Sequence, residues 1–329
     1  MQRSTAEPPV RGSRRSRGAA AVSGLTLRQI SAVLPPDRAW GLWTSRQIVA
    51  GIMAGFGPSL SGVTAEPVDT RLPDGRRLRG EWVTAAGVPG PDTSHGAVYY
   101  VHGSGFALCS PRTHRRLVGW LSRLTGVPVF SVDYRLAPRH RFPTAADDVR
   151  TGWDWLTTRF APHKLVIAGD SAGGHLAVDL LLHDDVAHPA GMVLLSPLID
   201  LRFDLARSRE RRRRDPAIRA ADAAKLVELY CGDIDPEHPR LAMAVAAGRP
   251  LPPTLIQAGG AEMLAADAER LAEDLRAAGG HCELQLWPDQ VHVFQALPRL
   301  TPEARPAMAR VAAFVTDALA GAERERVAG

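Results

Sequence analysis

Lys164-Leu-Val-Ile-Ala-Gly-Asp-Ser171-Ala-Gly-Gly-His-Leu-Ala-Val-Asp-Leu-Leu-Leu-His183 decides the fold. The β-type run Leu165, Val166 and Ile167 stops at Gly169. One polar residue later stands a serine between small residues, and an apolar helical pattern begins at once. Strand, sharp turn and helix put Gly169-Asp-Ser-Ala-Gly173 into the G-x-S-x-G pattern of a nucleophile elbow, where the serine occupies a strained turn and lifts its Oγ above the sheet. Side chains two residues to either side would collide, so both positions call for glycine. The helix that opens after Ser171 aims its N-terminal amides where negative charge would develop. A plain tight turn with an exposed serine would carry the same five residues. The reading therefore requires partners: oxyanion donors upstream, then an acid and a histidine downstream.

Working outward, Gly96-Ala-Val-Tyr-Tyr-Val-His102 is an uninterrupted apolar run, as expected of a strand buried on both faces. Similar runs lie at Val127 to Val132, Met192 to Leu195, Thr254 to Gln257 and Cys282 to Leu286. Between them are helical spacings: Val149, Trp153, Leu156 and Phe160; Leu264, Ala268, Leu271 and Leu275; Met308, Val311, Val315 and Leu319. Alternation of strand and helix predicts an α/β fold, a mostly parallel sheet with helices on both faces. Val63 to Val68 and Leu78 to Val83 predict two antiparallel strands joined by the Pro73-Asp74-Gly75 turn.

Two segments stand outside this alternation. Residues 24–60 read as helical, and 203–235 combine an arginine run, Arg211 to Arg214, with an amphipathic helix through Leu226, Leu229 and Tyr230. The second is expected to lie over the carboxyl edge of the sheet. Ahead of them, residues 1–23 carry Arg3, Arg11, Arg14, Arg15 and Arg17 among Gly, Ser and Pro, which predicts a disordered arm. Residues 24–329 then form a single domain.

Composition narrows the classes. Apolar residues make up 45% and charged residues 23% of 329, an ordinary globular profile. The net charge of +5 is almost wholly arginine, and no aromatic interleaves the run at 211–214, so a solvated face is expected there and no nucleic-acid partner. No run of ~18 apolar residues predicts a membrane span. Ala19 to Leu27, behind Arg14-Arg15, is too short and too interrupted to serve as an export signal. Three scattered cysteines, Cys109, Cys231 and Cys282, point to a reducing compartment, hence a cytoplasmic protein without a disulfide framework. The histidines and cysteines form no metal-binding spacing, and no cofactor is expected.

The partners required by Ser171 can be named. His102-Gly103-Ser104-Gly105-Phe106 ends a strand, and its glycines let backbone approach a substrate. The amides of Ser104 and Gly105, or of Gly103, together with that of Ala172, are candidate oxyanion donors. Downstream, Gln290-Val-His292-Val-Phe294 follows the last strand, so His292 can swing over the sheet edge as general base. The acid belongs in the loop after Thr254 to Gln257. Glu262 fits that loop better than Asp267, which is already within the following helix.

At this point the chain resembles the hormone-sensitive-lipase-like α/β hydrolases, a family of carboxylesterases and lipases. His102-Gly-Ser-Gly105 is similar to that family's H-G-G-G, with serine in place of the middle glycine. Asp133-Tyr-Arg-Leu-Ala-Pro138 with Phe142-Pro143, Gly169-Asp-Ser-Ala-Gly-Gly174, Glu262-Met-Leu and His292-Val-Phe resemble its other motifs. Arg139 and Arg141 depart from the pattern in a segment that is largely structural. The resemblance covers roughly residues 60–320. It implies an eight-stranded α/β-hydrolase fold with a helical cap in which 24–60 joins 203–235, and Ser171 as nucleophile, His292 as base and Glu262 as acid. It also implies a small-molecule ester substrate cleaved through an acyl-enzyme. Trp40, Trp43 and Phe56 in the cap predict an apolar pocket for short- to medium-chain acyl or aryl groups. Amide or N-acetyl hydrolysis, a non-hydrolytic reaction, or ligand binding alone are the rival uses of such a scaffold. An exposed final strand or helix could support a homodimer.

Overall fold

The computed structural model describes residues 7–328. Strands β1 (Val63–Arg71) and β2 (Arg77–Ala85) form an antiparallel hairpin. β3 (Ala97–Val101), β4 (Val129–Val132), β5 (Leu165–Asp170), β6 (Gly191–Leu195), β7 (Thr254–Gly259) and β8 (Cys282–Trp287) complete an eight-stranded sheet in the order β1-β2-β4-β3-β5-β6-β7-β8. β2 meets β4 antiparallel, and all pairs from β4 to β8 are parallel. The mostly parallel α/β sheet expected from the sequence is therefore present.

Period-two alternation sends each central strand's side chains to two cores. In β3, Ala97, Tyr99 and Val101 pack with α5 (Thr144–Thr157), α6 (Ala172–Leu182) and α9 (Ala265–Ala277). Val98 and Tyr100 pack on the other face with α4 (Pro111–Thr125) and α10 (Ala304–Ala328). Burial on both sides is why these strands read as unbroken apolar runs. From β3 the chain crosses outward to β4, then returns past β3 to β5 and continues the other way. The connections leaving β3 and β5 diverge, which opens a crevice at the carboxyl ends of those two strands.

Helices α1 (Arg14–Leu25), α2 (Leu27–Val33) and α3 (Ala39–Phe56) precede the sheet, and α7 (Asp204–Glu210) and α8 (Ala220–Cys231) sit between β6 and β7. The first of these corrects an expectation. Residues 1–6 of the expected arm lie outside the described residues, but Arg14 to Ser23 is helical. Ser13 caps α1 by accepting the Ser16 amide at 3.2 Å. Its own amide donates to Glu303 Oε1 at 2.5 Å, and Ser16 Oγ donates to Glu303 Oε2. Gly12 lies so close to the Pro288 carbonyl that a Cβ there would stand 2.7 Å away. The polar composition of the arm reads as disorder in the sequence because its ordering partner, Glu303, is remote. No helix among the described residues is long and apolar enough to cross a membrane.

Candidate active site

Ser171 stands between the end of β5 and α6 with φ 50° and ψ −122°, outside the usual wells for a side-chain-bearing residue. Such strain costs about 1–3 kcal/mol and persists only where surroundings impose it. Here the Ser171 amide donates to the Leu195 carbonyl at 3.0 Å, and the Ser171 carbonyl accepts from Gly174 and Leu198 at 2.9 and 3.1 Å. The flanking glycines are sterically required. A Cβ on Gly173 would lie 2.0 Å from the Val101 carbonyl oxygen, and one on Gly169 2.8 Å from the Gly173 backbone. The turn between strand and helix can thus be this sharp only with glycine at both places.

Across the crevice, the turn after β8 carries His292. Its Nδ1 pairs with Glu262 Oε2 at 2.5 Å. Glu262 is buried in the loop between β7 and α9, and its Oε1 accepts from the Gly259 amide at 2.6 Å and from Ser196 Oγ at 2.7 Å. Burial alone would lower the His292 pKa. The charge of Glu262 and its hydrogen bond outweigh that, with Asp215 and Asp170 adding to it, and the imidazole titrates above its ordinary value. Ser196 was not singled out by sequence reasoning. It follows β6 with φ 50°, gives its proton to Glu262, and accepts the Val293 amide at 3.1 Å, so one hydroxyl braces both partners. No local pattern in the sequence marks it.

Asp267 does not meet His292. Its Oδ1 accepts the amides of Ile199 and Asp200 at 2.9 and 2.8 Å, fixing the loop after β6. Burial pushes its carboxyl up to about 7 against the pull of those amides. His175 is likewise occupied elsewhere, with Nε2 3.0 Å from the Arg240 carbonyl.

The loop after β3 approaches Ser171 from the opposite side. Ser104, Gly105 and Phe106 all have positive φ (95°, 57° and 60°), which turns the loop back over the crevice. Gly103 packs against the elbow, where a Cβ would lie 2.3 Å from Asp170 Oδ2. Its amide, one of the candidate oxyanion donors, is engaged: it donates to Asp170 Oδ1 at 3.1 Å. Among the described residues, no acceptor meets the amides of Ser104, Gly105 or Ala172. Asp170, the variable position of the pentapeptide, holds this loop. It also accepts from Tyr100 Oη at 2.8 Å and lies 3.3 Å from His114 Nε2. Burial would raise its pKa, but His114 and the Tyr100 hydroxyl outweigh burial and keep it low. Beside it His102, stacked on Tyr134 with centroids 4.2 Å apart, is pushed down to about 3 by burial and by His114, and is neutral.

Ser171, His292, Ser104 and Gly105 open into a mainly apolar cavity of about 750 Å³. α1 contributes Ala19 and Val22 to its walls, α3 Ile52 and Phe56, and α8 Leu226 and Val227. Of the aromatics expected to form this pocket, only Phe56 does. Trp40 and Trp43 are exposed and line no part of it. The segment 203–235 also grips the acid loop. Arg209 donates to the carbonyls of Glu262 and Gly260 at 2.9 and 3.0 Å, and Asp215 Oδ2 accepts the Met263 amide at 2.7 Å. Arg28 of α2 ties to the Asp215 carbonyl at 2.7 Å, so α2 meets the 203–235 segment beside the loop that carries Glu262.

This arrangement has counterparts. Residues 98–296 match the family model described as alpha/beta hydrolase fold. The chain is 36% identical over 245 residues to esterase LipU of Mycobacterium tuberculosis, covering 72% of this chain and 82% of that one. The chain is a hormone-sensitive-lipase-like α/β hydrolase. This hydrolase is also 37% identical over 253 residues to carboxylesterase/phospholipase LipF of the same organism, covering 72% of this chain and 66% of LipF, just under two thirds of that relative. In three dimensions the hydrolase resembles a solved esterase of the bacterial hormone-sensitive lipase family. The TM-score is 0.81 at 27% identity, covering 93% of this chain and 99% of that one.

Proposed function

We propose that this hydrolase cleaves short- to medium-chain acyl or aryl carboxylic esters through an acyl-enzyme on Ser171. The observation that carries the reading is the pairing of His292 Nδ1 with the buried, fully bonded carboxylate of Glu262. That bond fixes the tautomer in which Nε2 is free to take a proton. His292 removes the Ser171 proton as Oγ attacks the ester carbonyl. The resulting oxyanion is met by the amides of Ser104, Gly105 and Ala172, with the N-terminus of α6 behind them. His292 returns the proton to the departing alcohol, then deprotonates a water that attacks the acyl carbonyl. Collapse of the second tetrahedral intermediate releases the acid and restores Ser171.

The size and apolar walls of the cavity support acyl groups of modest length. The cap is assigned to α1–α3 together with 203–235. The free thiols Cys109, Cys231 and Cys282 support a cytoplasmic location. β8 is an edge strand, a feature that favours pairing with a second copy as a homodimer. The test is a panel of p-nitrophenyl esters from acetyl to long-chain acyl, with matched anilides, on wild type and Ser171→Ala. Greatest kcat/KM on short to medium esters, lost in the variant, is expected. Preference for the anilides would instead make it an amidase.

A further inference from the structure

The charge and the exposed apolar side chains of this protein are concentrated in the same place. Between residues 7 and 56 lie seven arginines and only two acids, Glu7 and Asp37, so this segment holds the whole chain's net charge of +5. The same segment holds most of the large apolar side chains left in water. Leu25 is 80% exposed, Val33 73%, Trp40 60% and Trp43 62%, with Val22, Ile30 and Phe56 also exposed. Large apolar side chains gathered on one segment among arginines, rather than scattered singly over the surface, mark a site of interaction. Val22 and Phe56 also line the cavity above Ser171, so part of this segment borders the site, while Trp40 and Trp43 face away from it.

We propose that the α1–α3 face docks on the surface of an anionic lipid layer. Helices that expose leucine, valine and tryptophan beside arginines are suited to lie at the headgroup layer: the indole rings occupy the interface and the exposed guanidinium groups meet phosphates. A second copy of the chain is the other candidate occupant. Arg28 is taken by Glu210, but Arg11, Arg14 and Arg38 stay exposed; a symmetric dimer through this face would set them against their own copies, whereas an anionic surface complements them. The proposal goes beyond the ester-hydrolase reading, and its binding readout, pelleting with vesicles, needs no turnover.

The experiment is co-sedimentation of the full chain with vesicles of phosphatidylcholine alone and of phosphatidylcholine mixed with phosphatidylglycerol. Wild type is expected to pellet with the mixed vesicles only, and less as salt is raised. Trp40→Ser with Trp43→Ser should lower the partition coefficient about ten-fold. Arg14→Gln and Arg38→Gln should each lower it about five-fold. None of these side chains lines the cavity, so turnover of a soluble butyrate ester should stay at the wild-type level, which confirms that the variants fold. No pelleting of wild type, or unchanged pelleting of the tryptophan variant, overturns the proposal. So does a lipid-free dimer in sedimentation velocity that the tryptophan variant makes monomeric.

Discussion

Glu262 holds His292 by Nδ1 at 2.5 Å, while Asp267, in the first turn of the next helix, turns its carboxylate to the amides of Ile199 and Asp200. Two acids that compete for one role in the sequence therefore have separate roles in the fold. Glu262→Gln keeps the shape but loses the charge that fixes the imidazole, and should lower kcat by about 10²–10⁴-fold. Asp267→Asn should leave kcat/KM within about three-fold of wild type, because its Oδ1 can still accept both amides. Steady-state kinetics on p-nitrophenyl butyrate separates the two, and the reverse ranking would transfer the acid role to Asp267.

Asp267 also predicts a stability profile. Its folded pKa of about 7 lies above the ordinary 3.8, so between these values the folded state holds a proton that the unfolded state has lost. The sign follows: stability falls as pH rises from about 4 to 7 and levels off above. Asp267→Asn should flatten that part of the curve of denaturation midpoint against pH. An unchanged slope would show that the carboxyl does not carry it.

The raised pKa of His292 bears on rate. The base must be neutral to accept the Ser171 proton, so kcat/KM should rise with pH through an ionisation above the ordinary imidazole value of 6.5. Removing the charge of Glu262 should move that limb to lower pH, even as the plateau drops. A limb in Glu262→Gln at or above the wild-type position would contradict the electrostatic account.

Ser196 lines no part of the cavity above Ser171, but it positions both Glu262 and Val293. Ser196→Ala should lower kcat roughly ten-fold with little change in KM, as expected when a hydrogen bond to a charged group worth about 1.5–3 kcal/mol is lost only in part. Ser196→Thr should recover part of the rate. A change confined to KM would place its effect in binding instead.

Arg209 and Asp215 connect the 203–235 segment to the loop that carries Glu262. Asp215→Ala strands the amides of Ala217, Ile218 and Met263 and should cost about 3 kcal/mol of stability. Arg209→Met, which frees the carbonyls of Glu262 and Gly260, should reduce kcat more than it reduces the thermal midpoint. Loss of stability with rate intact in Arg209→Met would make the contact purely structural.

Much of this architecture is legible in the chain because its signals are local. Buried strands need continuous apolar residues, the Ser171 turn needs Gly169 and Gly173, and His292 and Glu262 follow recognisable strand ends. What escaped reading depends on partners far away in sequence. Ser13 and Ser16 order α1 only because Glu303 meets them. The Gly103 amide is taken by Asp170, which a pentapeptide pattern leaves as an arbitrary residue. Trp40 and Trp43 share a helix with Phe56, yet side-chain direction on α3 decides that only Phe56 reaches the cavity.

The central claim is an acyl-enzyme on Ser171, activated by His292. Its most direct test is intact-mass and peptide mass spectrometry after treatment with diethyl p-nitrophenyl phosphate, a mimic of the acyl-transfer transition state. The account predicts one diethylphosphoryl adduct on the peptide bearing Ser171, appearing in step with loss of esterase activity and absent from Ser171→Ala and His292→Ala. Full activity in the modified protein, or an adduct at another residue that tracks the loss, would contradict it.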